Sequence, residues 1–152
     1  MAATVFESID GLKARVGEVL GYSGWREVTQ EMINQFADAT DDHQWIHVDV
    51  ERAKASPFGG PVAHGYLTLS LVVPLLSEVV DVRGSALAIN YGCNRVRFPA
   101  PVPAGSRIRL GALLKEVETI AGGVQALFDA TVELEGGTKP ACVAEVIYRY
   151  YT

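Results

Sequence analysis

The chain has 152 residues, of which 49% are hydrophobic and 20% charged, with a net charge of −5 at neutral pH. That length predicts one domain with room for a real core, and that mix excludes a disordered chain. The acidic balance argues against a broad nucleic-acid surface, so an anionic ligand would need a local basic patch.

Residues 1–10 carry Glu7 and Asp10 and no apolar run, so no signal peptide is expected and the chain reads as cytoplasmic. Residues 4–17 have the makings of a short helix capped by Ser8 or Asp10, with Gly17 and Gly21 as breakers. Trp25 to Val28 is a brief strand candidate. Thr29 can cap a helix from Gln30 to about Ala39, in which Met32, Ile33, Phe36 and Ala37 share a face. Thr40 to His47 follows as a polar loop. Asp49 then looks like the cap of a short helix through about Ser56.

The longest apolar run in the chain is His64 to Val80, where the first charge after His64 is Glu78. A surface helix would alternate a greasy stripe with a charged face, so this one is expected to be buried all round. It is too short and too rich in hydroxyls for a membrane span. The turn-rich Phe58-Gly-Gly-Pro-Val-Ala63 brings the chain sharply into it. Gly65 falls in the first turn, where backbone N–H groups lack partners and can meet a developing negative charge.

After Gly84 the texture changes to four long strands: 87–98, 107–118, 124–135 and 141–151. Val124, Ala126, Phe128, Ala130, Val132 and Leu134 alternate with Gln125, Asp129, Thr131 and Glu133, a two-residue period. Pro and Gly clusters at 99–105, 122–123 and 136–137 separate the strands, which are expected to pair antiparallel. Cys93 and Cys142 have no metal-type spacing and read as reduced, buried thiols. The fold class is α+β in a single domain over 1–152, with helices first and then an antiparallel sheet around the apolar helix.

Asp42 and His47 are the residues with chemistry to offer. A carboxylate and an imidazole together can hold a water, take its proton and return one to substrate. The plain alternative is an Asp42 cap and a His47 satisfied by a backbone carbonyl. His43 and His47 are four apart beside Asp41 and Asp42, but the segment has poor helix character and no nearby cysteine, so no metal is expected. His64 reads as a cap or packing residue at the helix entrance. Ser70 reads as a hydroxyl bonded back to a carbonyl, or else as part of the pocket lining.

Phe36-Ala-Asp-Ala-Thr-Asp-Asp-His-Gln-Trp-Ile-His47, followed by Ala53, resembles the hydratase signature of MaoC-like, R-specific enoyl-CoA hydratases. Pro57-Phe-Gly-Gly-Pro-Val-Ala-His-Gly65 is similar to that family's second motif, and Asn90 to Val102 to its third. The motifs stand in the family's order and cover nearly the whole chain. The resemblance implies a hotdog fold, a central helix wrapped by a curved antiparallel sheet, paired through sheet edges into a homodimer. It implies Asp42 and His47 as the catalytic pair, Gly65 as the N–H donor to the thioester oxygen, and no metal or redox cofactor. Asp41, Gln44 and Trp45 stand where the general signature has Gly, Asn and Pro.

An acyl-CoA substrate brings phosphates and a chain. Arg95 and Arg97, sharing one strand face at period two, and Lys115 on the next strand are the cations that could meet the phosphates. Trp45, Tyr66 and Leu67 are candidates for the acyl wall. The reading is hydration of a trans-2-enoyl-CoA to an R-3-hydroxyacyl-CoA. Its rivals are a hotdog acyl-CoA thioesterase, a non-catalytic thioester-binding partner subunit, and a hydratase acting on an acyl carrier protein. Neither nucleic acid nor membrane enters as a partner.

Overall fold

The structure is a computed structural model describing residues 2–152. Its framework is a sheet in the order β2-β6-β7-β8-β5, with a short β3 also on β6. These strands are β2 (Val19–Tyr22), β3 (Arg26–Glu27), β5 (Leu87–Arg97), β6 (Arg107–Ile120), β7 (Gly123–Leu134) and β8 (Cys142–Tyr151). Every pairing in it is antiparallel. Two further strands, β1 (Thr4–Phe6) and β4 (Val80–Val82), pair in parallel beside it.

The alternation along β7 places Val124, Ala126, Phe128, Ala130 and Val132 in the core, and the residues between them on the outer face. The turn into β7 is tight because Gly123 has no side chain. A Cβ there would lie 2.0 Å from the Tyr150 carbonyl oxygen. Against the inner face lies the long helix. The helices in chain order are α1 (Gln30–Thr40), α2 (Trp45–Val48), α3 (Val50–Lys54) and α4 (Gly65–Val79). Leu67, Leu71, Leu75, Leu76 and Val79 of α4 are buried, and the helix packs on β2, β6 and β8. Each such side chain contributes about 1.5–3 kcal/mol through removal from water.

Several expectations need correcting. Residues 4–17 form a strand and a 3-10 helix, Ile9–Arg15, rather than an α-helix, although Ser8 does cap it through the Gly11 N–H. His47 sits in a four-residue helical turn, α2, inside the stretch expected as loop. Cys93 is exposed, whereas Cys142 is buried, its thiol pushed up to about 11 chiefly by burial. Most consequentially, α4 is not buried all round. Tyr66, at 70% exposed, begins a solvent-facing stripe that continues through Ser70, Val73, Pro74 and Ser77.

Candidate active site

Three local devices carry the chain to the site. Thr29 accepts from the Met32 N–H at 3.1 Å and starts α1. Asp41 ends α1 in the left-handed conformation, φ 61°. That position favours glycine, and Asp is among the few residues that tolerate it. The requirement accounts for the glycine of the general signature, and the Asp41 side chain, 98% exposed, points to solvent beside His43. Downstream, the Asp49 carboxylate accepts from the Arg52 N–H and starts α3. Between them, the turn α2 delivers His47.

His47 is buried, with Nδ1 2.6 Å from the Val62 carbonyl oxygen. A carbonyl only accepts, so Nδ1 carries the hydrogen and Nε2 keeps a free lone pair. The backbone partner foreseen as the plain alternative is thus present, and it leaves the second nitrogen free for chemistry. Burial, the largest influence, holds the His47 pKa below its usual 6.5, against the pull of the Val62 carbonyl. Its neutral, proton-accepting form is therefore favoured.

His64 joins the site, although its residue number gave little sign of it. Its ring stacks on that of His47 at 3.8 Å between centroids, with Phe36 4.8 Å away on a tilted plane. Its Nε2 donates to the Asp42 carbonyl at 3.0 Å, which anchors the backbone that carries the carboxylate. The Pro-Val-Ala-His-Gly run was the only signal for it. Asp42 itself is exposed, and its carboxylate accepts a long 3.4 Å bond from the Gln44 N–H. One ligand atom from each of Asp42, His47 and His64 lies within 4.8 Å of the others. A metal does not suit this trio. Imidazoles stacked at 24° aim their in-plane lone pairs along nearly parallel lines, which do not converge at about 2.0–2.1 Å from one ion.

At the start of α4 the His64 carbonyl accepts from both Leu67 and Thr68. Among the described residues no acceptor takes the Gly65 or Tyr66 N–H, and His64 makes no side-chain cap. These donors sit at the positive end of a 15-residue helix. A cavity of about 330 Å³ opens there, with His47, Gly65, Thr68, Phe58 and Phe98 in its walls. Gly65 is pressed against Phe98, since a Cβ would meet two ring carbons at 2.9 Å.

The remaining sequence candidates stand apart from this cavity. Arg95 and Arg97 line a separate one of about 650 Å³ with Asp129, Thr131 and Glu145, which belong to the outer side of the sheet. The period-two spacing does not survive as such. Arg95 occupies a bulge between Asn94 and Val96, at φ 31°. Lys115 is held by Glu145 at 3.4 Å. Trp45 is half-buried under the Arg52 guanidinium, 4.3 Å from the ring centroid. Tyr66 and Ser70 lie on the exposed stripe, and Ser70 Oγ donates to the Tyr66 carbonyl at 2.7 Å.

Comparison with known proteins gives this arrangement relatives. The family model described as "MaoC like domain" matches residues 12–135. The 3-hydroxyacyl-thioester dehydratase Z of Mycobacterium tuberculosis is 58% identical over 146 residues, covering 95% of this chain and 97% of that protein. Among solved structures, a monoamine oxidase regulatory protein from Archaeoglobus fulgidus superposes with a TM-score of 0.79 at 26% identity, over 100% of this chain and 99% of that one. The (R)-hydratase from A. caviae shares the fold at a TM-score of 0.73 and 21% identity, over 89% of this chain and 96% of that one. The chain belongs to the MaoC-like dehydratases, hydro-lyases built on the hotdog fold.

Proposed function

We propose that the protein catalyses the reversible, R-specific hydration of a trans-2-enoyl-CoA to the R-3-hydroxyacyl-CoA. The observation that carries this is the meeting, at one cavity, of His47, whose Nε2 is free, and the free N–H groups of the α4 start, with the Asp42 carboxylate within 4.8 Å of a His47 ring nitrogen. The name of the mycobacterial relative, a 3-hydroxyacyl-thioester dehydratase, supports the same substrate class.

In the hydration direction Asp42 and His47 hold one water between them. As its oxygen bonds to C3, a proton passes to the pair and the C2–C3 π electrons move toward the thioester oxygen. The Gly65 N–H meets that developing charge, in a place where the helix dipole adds to it. Return of a proton to C2 completes net addition of water across the double bond. Dehydration runs the same steps backwards. Arg95 and Arg97 remain the cations proposed for the coenzyme phosphates, with Lys115 less available because Glu145 holds it.

The working unit is proposed to be a homodimer. β5 forms one edge of the main sheet, 11 residues long, with Leu87 and Tyr91 each 54% exposed. Long apolar edges of this kind invite pairing with another strand. A groove joins this edge to the exposed stripe of α4, with Val73, Ser77, Leu87 and Ala88 among its walls. A second copy of the chain covers both at once.

The test is to add purified protein to crotonyl-CoA and follow loss of the enoyl-thioester absorbance, with chiral analysis of the product and a parallel free-thiol assay. Loss of absorbance with R product and no thiol supports the reading. Release of thiol without hydration would replace it with a thioesterase.

A further inference from the structure

Helix α4 carries three serine and threonine hydroxyls, and two of them are satisfied within the helix. Ser70 Oγ donates to the Tyr66 carbonyl at 2.7 Å and Ser77 Oγ to the Val73 carbonyl at 3.1 Å, the ordinary fate of a hydroxyl in an apolar helix. Both are exposed, where water would have served as well. Thr68 is the opposite case. It is 2% exposed, yet no group among the described residues hydrogen-bonds its hydroxyl. Nor is that oxygen sealed in protein, because the one fully enclosed, unpaired side-chain atom there is His64 Nδ1. Thr68 opens instead on the 330 Å³ cavity that His47 and Gly65 also line.

A hydroxyl turned to a cavity rather than to a helix carbonyl is left for water or a ligand to satisfy, and a valine would fill the same space without needing either. Its direction is informative too. Helical side chains lean back toward the N-terminus and cover the residue three or four before them, which for Thr68 is Gly65 or His64. The Thr68 side chain thereby leans over the helix start with its free N–H groups, on the wall shared with His47.

We propose that Thr68 contacts substrate, its Oγ–H donating to the thioester carbonyl oxygen as a second donor beside the Gly65 N–H. This rests on the acyl-thioester reading of the same cavity. Two converging donors localise the oxygen better than one, and both bonds strengthen as negative charge arrives. No atoms are exchanged with Thr68, which only holds the oxygen while the C2–C3 electrons shift.

The experiment compares the wild type with T68V, which keeps the shape and loses the donor, and with T68S, which keeps the donor. With crotonyl-CoA, T68V should lose roughly 100-fold in kcat/KM, T68S should recover most of it, and the T68V melting temperature should equal or exceed that of the wild type. A second arm uses butyryl-CoA, which cannot be hydrated, and records the infrared stretch of its bound thioester carbonyl. The stretch should lie at higher wavenumber in T68V than in the wild type. A wild-type rate and an unmoved carbonyl band in T68V would overturn the proposal. Should the wild type fail to hydrate crotonyl-CoA while the band still responds to T68V, the hydratase reading falls and the Thr68 contact stands. Failure of the wild type to bind butyryl-CoA at all would remove both.

Discussion

Adding one methyl group at Gly65 separates the requirements of the fold from those of the site. In Gly65→Ala the new Cβ would fall 2.9 Å from two carbons of the Phe98 ring. Carbon atoms sit comfortably at about 3.5–4.0 Å, so the ring or the helix start must give by roughly 0.6–1 Å. Overpacking of this kind costs about 1–3 kcal/mol, offset by up to about 1 kcal/mol from replacing a helical glycine. The net destabilisation is about 0–3 kcal/mol, a fall in melting temperature of no more than about 12 °C for a chain of this size. Phe98 is partly exposed and packs edge-on to the exposed Tyr66, so there is room for the ring to move. Activity has no such latitude. Phe98 and Gly65 are neighbouring walls of the cavity, and a displacement near 1 Å at a reacting group costs about 100-fold. Thermal unfolding with steady-state hydration of crotonyl-CoA gives both numbers. A folded G65A enzyme with the wild-type kcat/KM would refute the role of Gly65 as the point of close approach.

Further outcomes follow from the same geometry. Because burial depresses the His47 pKa and its neutral form is the acceptor, the acid limb of kcat/KM should have its midpoint below 6.5. The sign for stability agrees: the His47 contribution is complete above 6.5 and is lost as pH falls through its lower folded value. NMR titration of the His47 ring assigns the limb, and a midpoint above 6.5 would contradict the burial argument. For the homodimer, sedimentation should give twice the 16.4 kDa chain mass, and Val73→Asp should return it to one chain. A V73D protein still at the dimer mass would exclude the α4 stripe from the interface.

How far the sequence reached depended on which physical signal each feature leaves. The strands of the sheet were legible because one buried face imposes a period of two, as along 124–134. The caps at Thr29 and Asp49 were legible because they are local. The hydropathy of α4 predicts burial but not which side of the helix the sheet covers, so the exposed stripe from Tyr66 to Ser77 leaves no mark in it. Sequence places His64 at the helix entrance and no further, because its stack with His47 is made by the path of the chain between them, which no spacing rule records. Sequence places Arg95 and Arg97 on a shared strand, while the bulge at Arg95 and the cavity the two arginines line appear only once β5 is registered on β8. Sequence does not distinguish Thr68 from Ser70, since it cannot show which hydroxyl finds a carbonyl and which is left open to a cavity.

The most direct measurement is the crotonyl-CoA hydration rate of Asp42→Asn and of His47→Asn, each beside its own unfolding curve. If a carboxylate and a neutral imidazole together handle the proton of one water, either change should lower kcat by about 100-fold or more, with the melting transition kept. Wild-type turnover in either folded variant would contradict it.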